Sequence, residues 1–345
     1  MRLFQLIILF LLVTLPFAVA MADDAPLPPI TAEAVNAATL DAVPAELLPP
    51  PVADKTTGSD AAPPPSAAPD PAIVKLQILL DRAGASPGVI DGFDGDNVRK
   101  AVRAFETMGG LTADGSINAD MLAKLQTTEP VVGSYTITDK DVADIVAPIP
   151  TDYAEMAKRD FLGYTSVTEE LGERFHMDED LLKSLNPQAQ WVAGEVVAVA
   201  AYGPDKEGKV ARIEADKSDR QIRAYDAEDR LLVAYPATIG SEDNPSPVGT
   251  HLVDAVASMP NYTYNPDVNF KQGSNSERLI IPPGPNGPVG STWIDLTEPT
   301  FGIHGTPAPS KIDKTNSHGC VRLTNWDAAE LSKMVAPGVP VDFID

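Results

Sequence analysis

The sequence predicts a multi-domain chain: a small three-helix module, an α+β middle segment and a mostly-β C-terminal domain. Three observations carry this. Apolar residues recur at helical spacing between Ile73 and Leu125. From Val210 the pattern changes to alternation of apolar and polar residues, punctuated by turn signals. A stretch rich in Pro, Ala and Asp, Asp23 to Pro71, sets both apart from an apolar run at the N-terminus. A length of 345 residues fits two or three domains.

Taken in order, Arg2 is followed by an apolar run from Leu3 to Val19 and by small residues at Ala18, Ala20 and Ala22. A basic start, a short apolar core and an Ala-x-Ala end predict a secretory signal peptide over residues 1–22 and an exported, periplasmic protein. The competing reading, a membrane anchor, meets a run that is short and interrupted by Pro16. No cysteine follows the run, so a lipid anchor there is not expected, and no later segment is apolar enough to span a bilayer. Residues 23–72 have almost no aromatics and carry Pro-Pro-Pro at Pro49–Pro51 and Pro63–Pro65, which predicts a disordered tether. The formal charge of -23 argues against nucleic acid and anionic lipid as partners, since both require basic surface.

Residues 73–128 form the helical module. Val74, Leu76, Ile78, Leu79 and Ala83 cover one helix face, closed by Gly84. Asp91-Gly92 and Asp94-Gly95 are turn signals before a second helix with Val98, Ala101, Val102 and Phe105 at helical spacing and Asp96 or Asn97 as its cap. Asp114-Gly115 leads into a third helix, Ala119 to Leu125. Leu76, Gln77, Leu80, Gly88, Asp91, Gly92, Gly95, Ala101, Val102 and Phe105 fall on the pattern of the small three-helix peptidoglycan-binding domain, which this segment resembles. Glu106 stands where that family usually has Gln. In residues 129–207, a strand at Ser134–Val142, two amphipathic helices within Ser166–Pro187 and a strand at Glu195–Tyr202 give a β-α-α-β order. With Leu185-Asn186-Pro187 after the second helix, the segment is similar to a LysM glycan-binding module, split by an insertion over about 147–164 and lacking the usual Gly-Asp-Thr-Leu signature. His176, beside Phe175 on an apolar face, reads as structural.

Residues 208–345 hold the chemistry. Val210–Asp226 and Leu231–Gly240 read as a hairpin, His251–Val256, Arg278–Ile281 and Val339–Ile344 as strands, and Asn325–Val335 as a helix with Thr324 and Asp327 at its start. Cys320 is the only cysteine. In an exported chain a solitary cysteine is a buried inert thiol, half of an intermolecular disulfide, or a nucleophile. Neighbours as polar as Ser317, His318 and Arg322 disfavour the first. A thiol has a pKa of roughly 8.5 and needs an imidazole or a cation nearby to react at neutral pH. His318 lies two residues away, sharing a face in extended backbone, and His304 lies on a strand that could run alongside. One would serve as base and then acid while the other orients it. Gly319 leaves room for substrate, the backbone N–H groups of Gly319 and Cys320 could hold an oxyanion, and Arg322 could meet a carboxylate. The rival is zinc on His304, His318 and Cys320, opposed by the poor nucleophilicity of a zinc thiolate and by the absence of a marked acidic base.

Ile303-His304-Gly305-Thr306, then Ser317-His318-Gly319-Cys320-Val321-Arg322-Leu323, resembles the catalytic signature of the YkuD-type L,D-transpeptidases. Ser246–Thr250, Pro288–Gly290, the Asn325, Asp327 and Leu331 helix, and Gly338–Val341 extend the resemblance to the whole C-terminal domain. Asp313 departs from it, standing where many members have glycine. The resemblance implies a cysteine acyltransferase acting on peptidoglycan stem peptides. Cys320 would form a thioester with release of D-Ala, and an amine of a neighbouring stem would resolve it as a 3-3 cross-link. It implies His304 as the proton carrier, with His318, Ser317, Gly319, Gly305 and Thr306 shaping the pocket and oxyanion site and Arg322 meeting a substrate carboxylate. No metal or other cofactor is expected, the partners are stem peptides and glycan strands, and carbapenems are the expected inhibitors. An L,D-carboxypeptidase, a lipoprotein-attaching enzyme and a non-catalytic wall-binding scaffold remain as alternatives.

Overall fold

The computed structural model describes residues 27–43, 68–241, 244–268, 270–317 and 319–345. The expected signal peptide, residues 1–22, and most of the expected tether lie outside these. Among the described residues no helix is long and apolar enough to cross a membrane.

The tether expectation is corrected over residues 27–43. Thr31 caps a helix α1 (Ala32–Ala37), its Oγ1 accepting the Ala34 N–H, and Ile30 and Val35 are buried. The Asn36 amide oxygen accepts from the backbone N–H groups of Val131 and Val132 at 2.8 and 3.0 Å, and Lys75 Nζ donates to the Asn36 and Ala38 carbonyls. Three buried apolar residues, Ile30, Val35 and Val43, with the bonds of Asn36 and Lys75, fasten a segment whose composition reads as disordered.

The helical module follows as α2 (Pro71–Arg82), α3 (Asp96–Met108) and α4 (Ala119–Leu125). Asp70 caps α2 and Asn118 caps α4; α3 starts from Gly95 with no side-chain cap, so neither Asp96 nor Asn97 serves there. Gln77 explains its place in the motif: its Oε1 accepts the Asp91 and Gly92 N–H groups and its Nε2 donates to Asp91, knitting the Asp-Gly turn onto α2.

In the middle segment β1 (Val132–Thr136) pairs antiparallel with β2 (Val196–Ala200). Between them lie α5 (Asp139–Ala143), α6 (Tyr153–Met156), α7 (Val167–Arg174) and α8 (Glu179–Leu185). The two expected helices are α7 and α8. His176 is held structurally: it takes φ 57° just after α7, lies 2.8 Å from Asp81 and stacks on Tyr202 and Trp326. One apolar core joins α1, the three-helix module and this segment.

The C-terminal domain contributes β3 (Arg212–Asp216), β4 (Gln221–Tyr225), β5 (Leu231–Pro236), β6 (Thr238–Ile239), β7 (Gly249–Ser258), β8 (Tyr262–Tyr264) and β9 (Leu279–Ile281). Then come β10 (Thr292–Leu296), β11 (Gly302–His304), β12 (Val321–Arg322), helix α9 (Asn325–Met334) and β13 (Pro340–Ile344). Nine strands run in the order β5-β4-β3-β13-β7-β10-β11-β12-β6, and β8 and β9 form a separate hairpin. The first half of β7 pairs with β13 and its second half with β10, so this one long strand carries the sheet from one half to the other. Leu331 and Ala328 of α9 complete the core beneath Ile213, Val253, Ile294 and Ile303. Edge strand β5 does not stay open: Ser86 N–H donates to the Ala234 carbonyl and Ala234 N–H to the Gly84 carbonyl, both at 2.9 Å, so the helical module covers it.

Candidate active site

The site forms where β10, β11 and β12 lie side by side. The parallel register of β11 and β12 sets His304 opposite Arg322, so both side chains leave the sheet on one face. Cys320 lies in the bend that leads into β12. The expected strand alongside the cysteine is therefore present. His318 lies outside the described residues.

His304 is buried, and its antiparallel partner Trp293 stacks on the imidazole with ring centroids 5.4 Å apart. Gly302 makes this stacking possible, because a Cβ there would sit 2.5 Å from the indole. His304 Nδ1 lies 2.7 Å from the Gly305 carbonyl oxygen. A carbonyl can only accept, so Nδ1 carries the hydrogen and Nε2 keeps its lone pair. Burial, reinforced by the Arg322 charge, lowers the imidazole to about 4, so it is a neutral base at neutral pH.

The Cys320 thiol donates to the Thr300 carbonyl at 3.6 Å. Thr300 has φ 74°, a rare conformation for a β-branched residue. Burial raises the thiol's pKa, while the Gly302 N–H and the Arg322 guanidinium act in the opposite sense. The resting site is thus a neutral thiol beside a neutral imidazole.

Ser317 is buried, and its hydroxyl donates to the Cys320 carbonyl at 2.6 Å and accepts the Gly319 N–H at 3.3 Å. It buckles the nucleophile's backbone, and the Gly319 N–H is directed at it. Gly319 adopts φ 107°, and a Cβ there would lie 2.6 Å from the Phe301 ring. Ser246, whose hydroxyl donates to the Gly319 carbonyl at 2.7 Å, fixes the same turn from the Ser-Pro-Val-Gly-Thr stretch. Thr306 is buried and its hydroxyl accepts the Ala308 N–H. Arg322 donates to the Asn316 carbonyl at 3.3 Å.

Glu173, and the contacts through which Asn325 and Asp313 act, were not legible in the sequence. Asn325 Oδ1 accepts the Ser291 N–H at 3.0 Å and lies against Gly290 and Gly305, where any Cβ would overlap it. Its Nδ2 donates to both carboxyl oxygens of Glu173, at 3.0 and 2.8 Å. Burial pushes Glu173 up to about 8. A helix of the middle segment thereby reaches the backbone of the His304 strand. Asp313, the departure from the family pattern, takes φ 65°, and its carboxylate accepts from Lys100 Nζ of α3 at 2.7 Å. Among the described residues no group of three or more His, Cys, Asp or Glu is placed to hold a metal.

Comparison with known families agrees with this arrangement. Residues 210–342 match the L,D-transpeptidase catalytic domain of the YkuD family, and residues 69–125 match the family described as "Putative peptidoglycan binding domain". The chain carries an L,D-transpeptidase catalytic domain preceded by a peptidoglycan-binding domain. Among curated relatives, "Putative L,D-transpeptidase YkuD" of Bacillus licheniformis is 32% identical over 130 residues, covering 38% of this chain and 63% of the relative. "Probable L,D-transpeptidase YbiS" of Escherichia coli K12 is 29% identical over 133 residues, covering 38% and 43%. The chain spans less than two thirds of the length of these two relatives. A solved L,D-transpeptidase from Mycobacterium smegmatis aligns with TM-score 0.33 at 18% identity, over 45% of this chain and 76% of the other.

Proposed function

We propose that the protein is an exported, periplasmic L,D-transpeptidase that forms 3-3 cross-links in peptidoglycan through a thioester on Cys320. The observation that carries the reading is His304 on β11, beside the strand β12 that Cys320 immediately precedes, with the His304 Nδ1–H tied to Gly305, which leaves Nε2 to take a proton.

His304 Nε2 removes the thiol proton as Cys320 Sγ attacks the carbonyl of the L-centre in an L,D peptide bond. Electrons move onto the carbonyl oxygen, where the Cys320 N–H receives the developing charge, the Gly319 N–H being taken by the Ser317 hydroxyl. The C–N bond breaks, the imidazolium gives its proton to the departing D-Ala amine, and the acyl group stays on sulfur. An acceptor amine then attacks the thioester, His304 takes the proton from that amine, and the thiol is restored. Arg322, a cation at the edge of the thiol site, meets the carboxylate of the stem peptide. By the family resemblance His318 helps to shape the pocket.

The middle segment acts as a LysM-like glycan-binding module; its two antiparallel strands with α7 and α8 between them support this reading. With the peptidoglycan-binding domain it holds the catalytic domain at the wall. Carbapenems acylate Cys320 by opening the lactam C–N bond. Intact-mass spectrometry with a disaccharide tetrapeptide tests the reading: a thioester lacking D-Ala is expected, and its absence in an enzyme whose thiol still alkylates would overturn it.

A further inference from the structure

The expected insertion of the middle segment, tied to its own module where the Tyr164 hydroxyl donates to Glu173, lies along the hairpin β8–β9. Leu162 is buried with Tyr264 and Ile281 in a third apolar core, separate from that of the catalytic sheet. Backbone bonds fix the contact: Leu162 N–H donates to the Pro283 carbonyl at 2.9 Å, and Asn286 N–H donates to the Leu162 carbonyl at 3.0 Å. Gly284 is required there, since a Cβ would overlap the Leu162 carbonyl. At the other end Gln272, in the hairpin's loop, donates to the Thr151 carbonyl at 2.8 Å and accepts the Tyr153 N–H at 3.1 Å. A two-stranded hairpin on its own is marginally stable and needs such packing.

Tyr153 opens α6 and meets Tyr262 and Tyr264 edge-to-face, with ring centroids 5.9 and 5.3 Å apart. The hairpin leaves the sheet beside the site: β7 ends at Ser258, paired with Thr292, next to the Trp293 that lies opposite His304. Just after β9 the Pro285 carbonyl accepts from Asn325 Nδ2, whose Oδ1 lies against Gly305, the residue after His304.

We infer that the insertion is a working part of the substrate cleft: it folds the β8–β9 hairpin and supplies Tyr153 as a wall beside the Cys320–Arg322 face, so that the middle segment selects an extended peptide donor. The substrate class rests on the transpeptidase reading above; the architecture does not. Tyr153 is a specificity residue, because its ring shapes the cleft while proton transfer belongs to His304.

The test compares Tyr153→Ala and Tyr153→Phe with wild type in the full chain, by donor KM and kcat and by Cys320 alkylation with iodoacetamide and with a bulky maleimide dye. Removing the ring is expected to raise donor KM about 10-fold, in line with loss of one aromatic wall, and to speed the bulky dye while leaving iodoacetamide within about twofold. Phe is expected to restore most of both. Leu162→Ala and Gln272→Ala are each expected to accelerate amide exchange at Tyr262–Tyr264 and Leu279–Ile281. An unchanged KM in an active enzyme, an equal loss of donor use and iodoacetamide reactivity, or full hairpin protection in both brace variants would overturn the inference. A wild type that accepts no donor would instead overturn the transpeptidase reading, and the dye and exchange experiments would still decide the architecture.

Discussion

At His304 and Cys320 burial pushes the base down and the acid up, so neither carries charge in the resting enzyme at neutral pH. In the proposed reaction, proton transfer then accompanies attack instead of preceding it. The pH profile of kcat/KM follows: the acid limb falls near 4, where His304 protonates, and the alkaline limb lies above the ordinary thiol range. A pre-formed thiolate–imidazolium pair would instead put an acid limb at the depressed pKa of its thiol, and pH-dependent alkylation of Cys320 separates the two. A second residue-scale expectation concerns Gly290, which has φ 62° and where a Cβ would overlap Asn325 Oδ1. Gly290→Ala combines a left-handed backbone with overpacking and should cost about 2–4 kcal/mol in a urea melt. A cost under about 0.5 kcal/mol would mean that Asn325 yields easily and does not set the strand.

Helices from two other modules hold the strands and loops of the catalytic domain. Glu173 of α7 carries a carboxyl raised by burial from 4.5 to about 8, so it is protonated in the fold at neutral pH. The sign of the linkage is fixed by that direction: its contribution is fully present below about 4.5 and is lost as pH rises through about 8. Thermal unfolding should show stability falling across this window in wild type and a flatter curve in Glu173→Gln. An unchanged slope would remove Glu173 as its source. On the loop that leads to Cys320, Lys100 of α3 and Asp313 form an ion pair with side chains only 5% and 10% exposed. Lys100→Met should destabilise the chain by about 3 kcal/mol by leaving the buried Asp313 with only the more distant Arg220, and adding Asp313→Asn should recover much of that. Additive losses would show that the pair is not coupled.

Across the molecule, legibility tracked how locally each feature is encoded. The Ile303–Leu323 stretch was readable because the reacting groups and their glycines lie within one short segment. The helical module was readable from its turns and from Gln77, whose partners are 14 and 15 residues away. Glu173 was not readable: a glutamate on an amphipathic helix looks solvated, and its partner Asn325 is 152 residues distant. Ile30 and Val35 were hidden for the opposite reason, because the surrounding Pro and Ala dominate the composition and the surface that buries them is built far downstream. The insertion was visible as an interruption, but its purpose depends on Gln272 and Asn286, about 120 residues further on.

The central claim is that Cys320 opens an L,D bond and keeps the acyl group. Intact-mass spectrometry of the mature protein with a disaccharide tetrapeptide, beside Cys320→Ala, tests it most directly. The account predicts an adduct of the donor less D-Ala in wild type, none in Cys320→Ala, and transfer of the acyl group to an added stem-peptide amine. Wild-type protein that alkylates with iodoacetamide yet gains no adduct from the tetrapeptide or from a carbapenem would contradict it and leave a wall-binding scaffold.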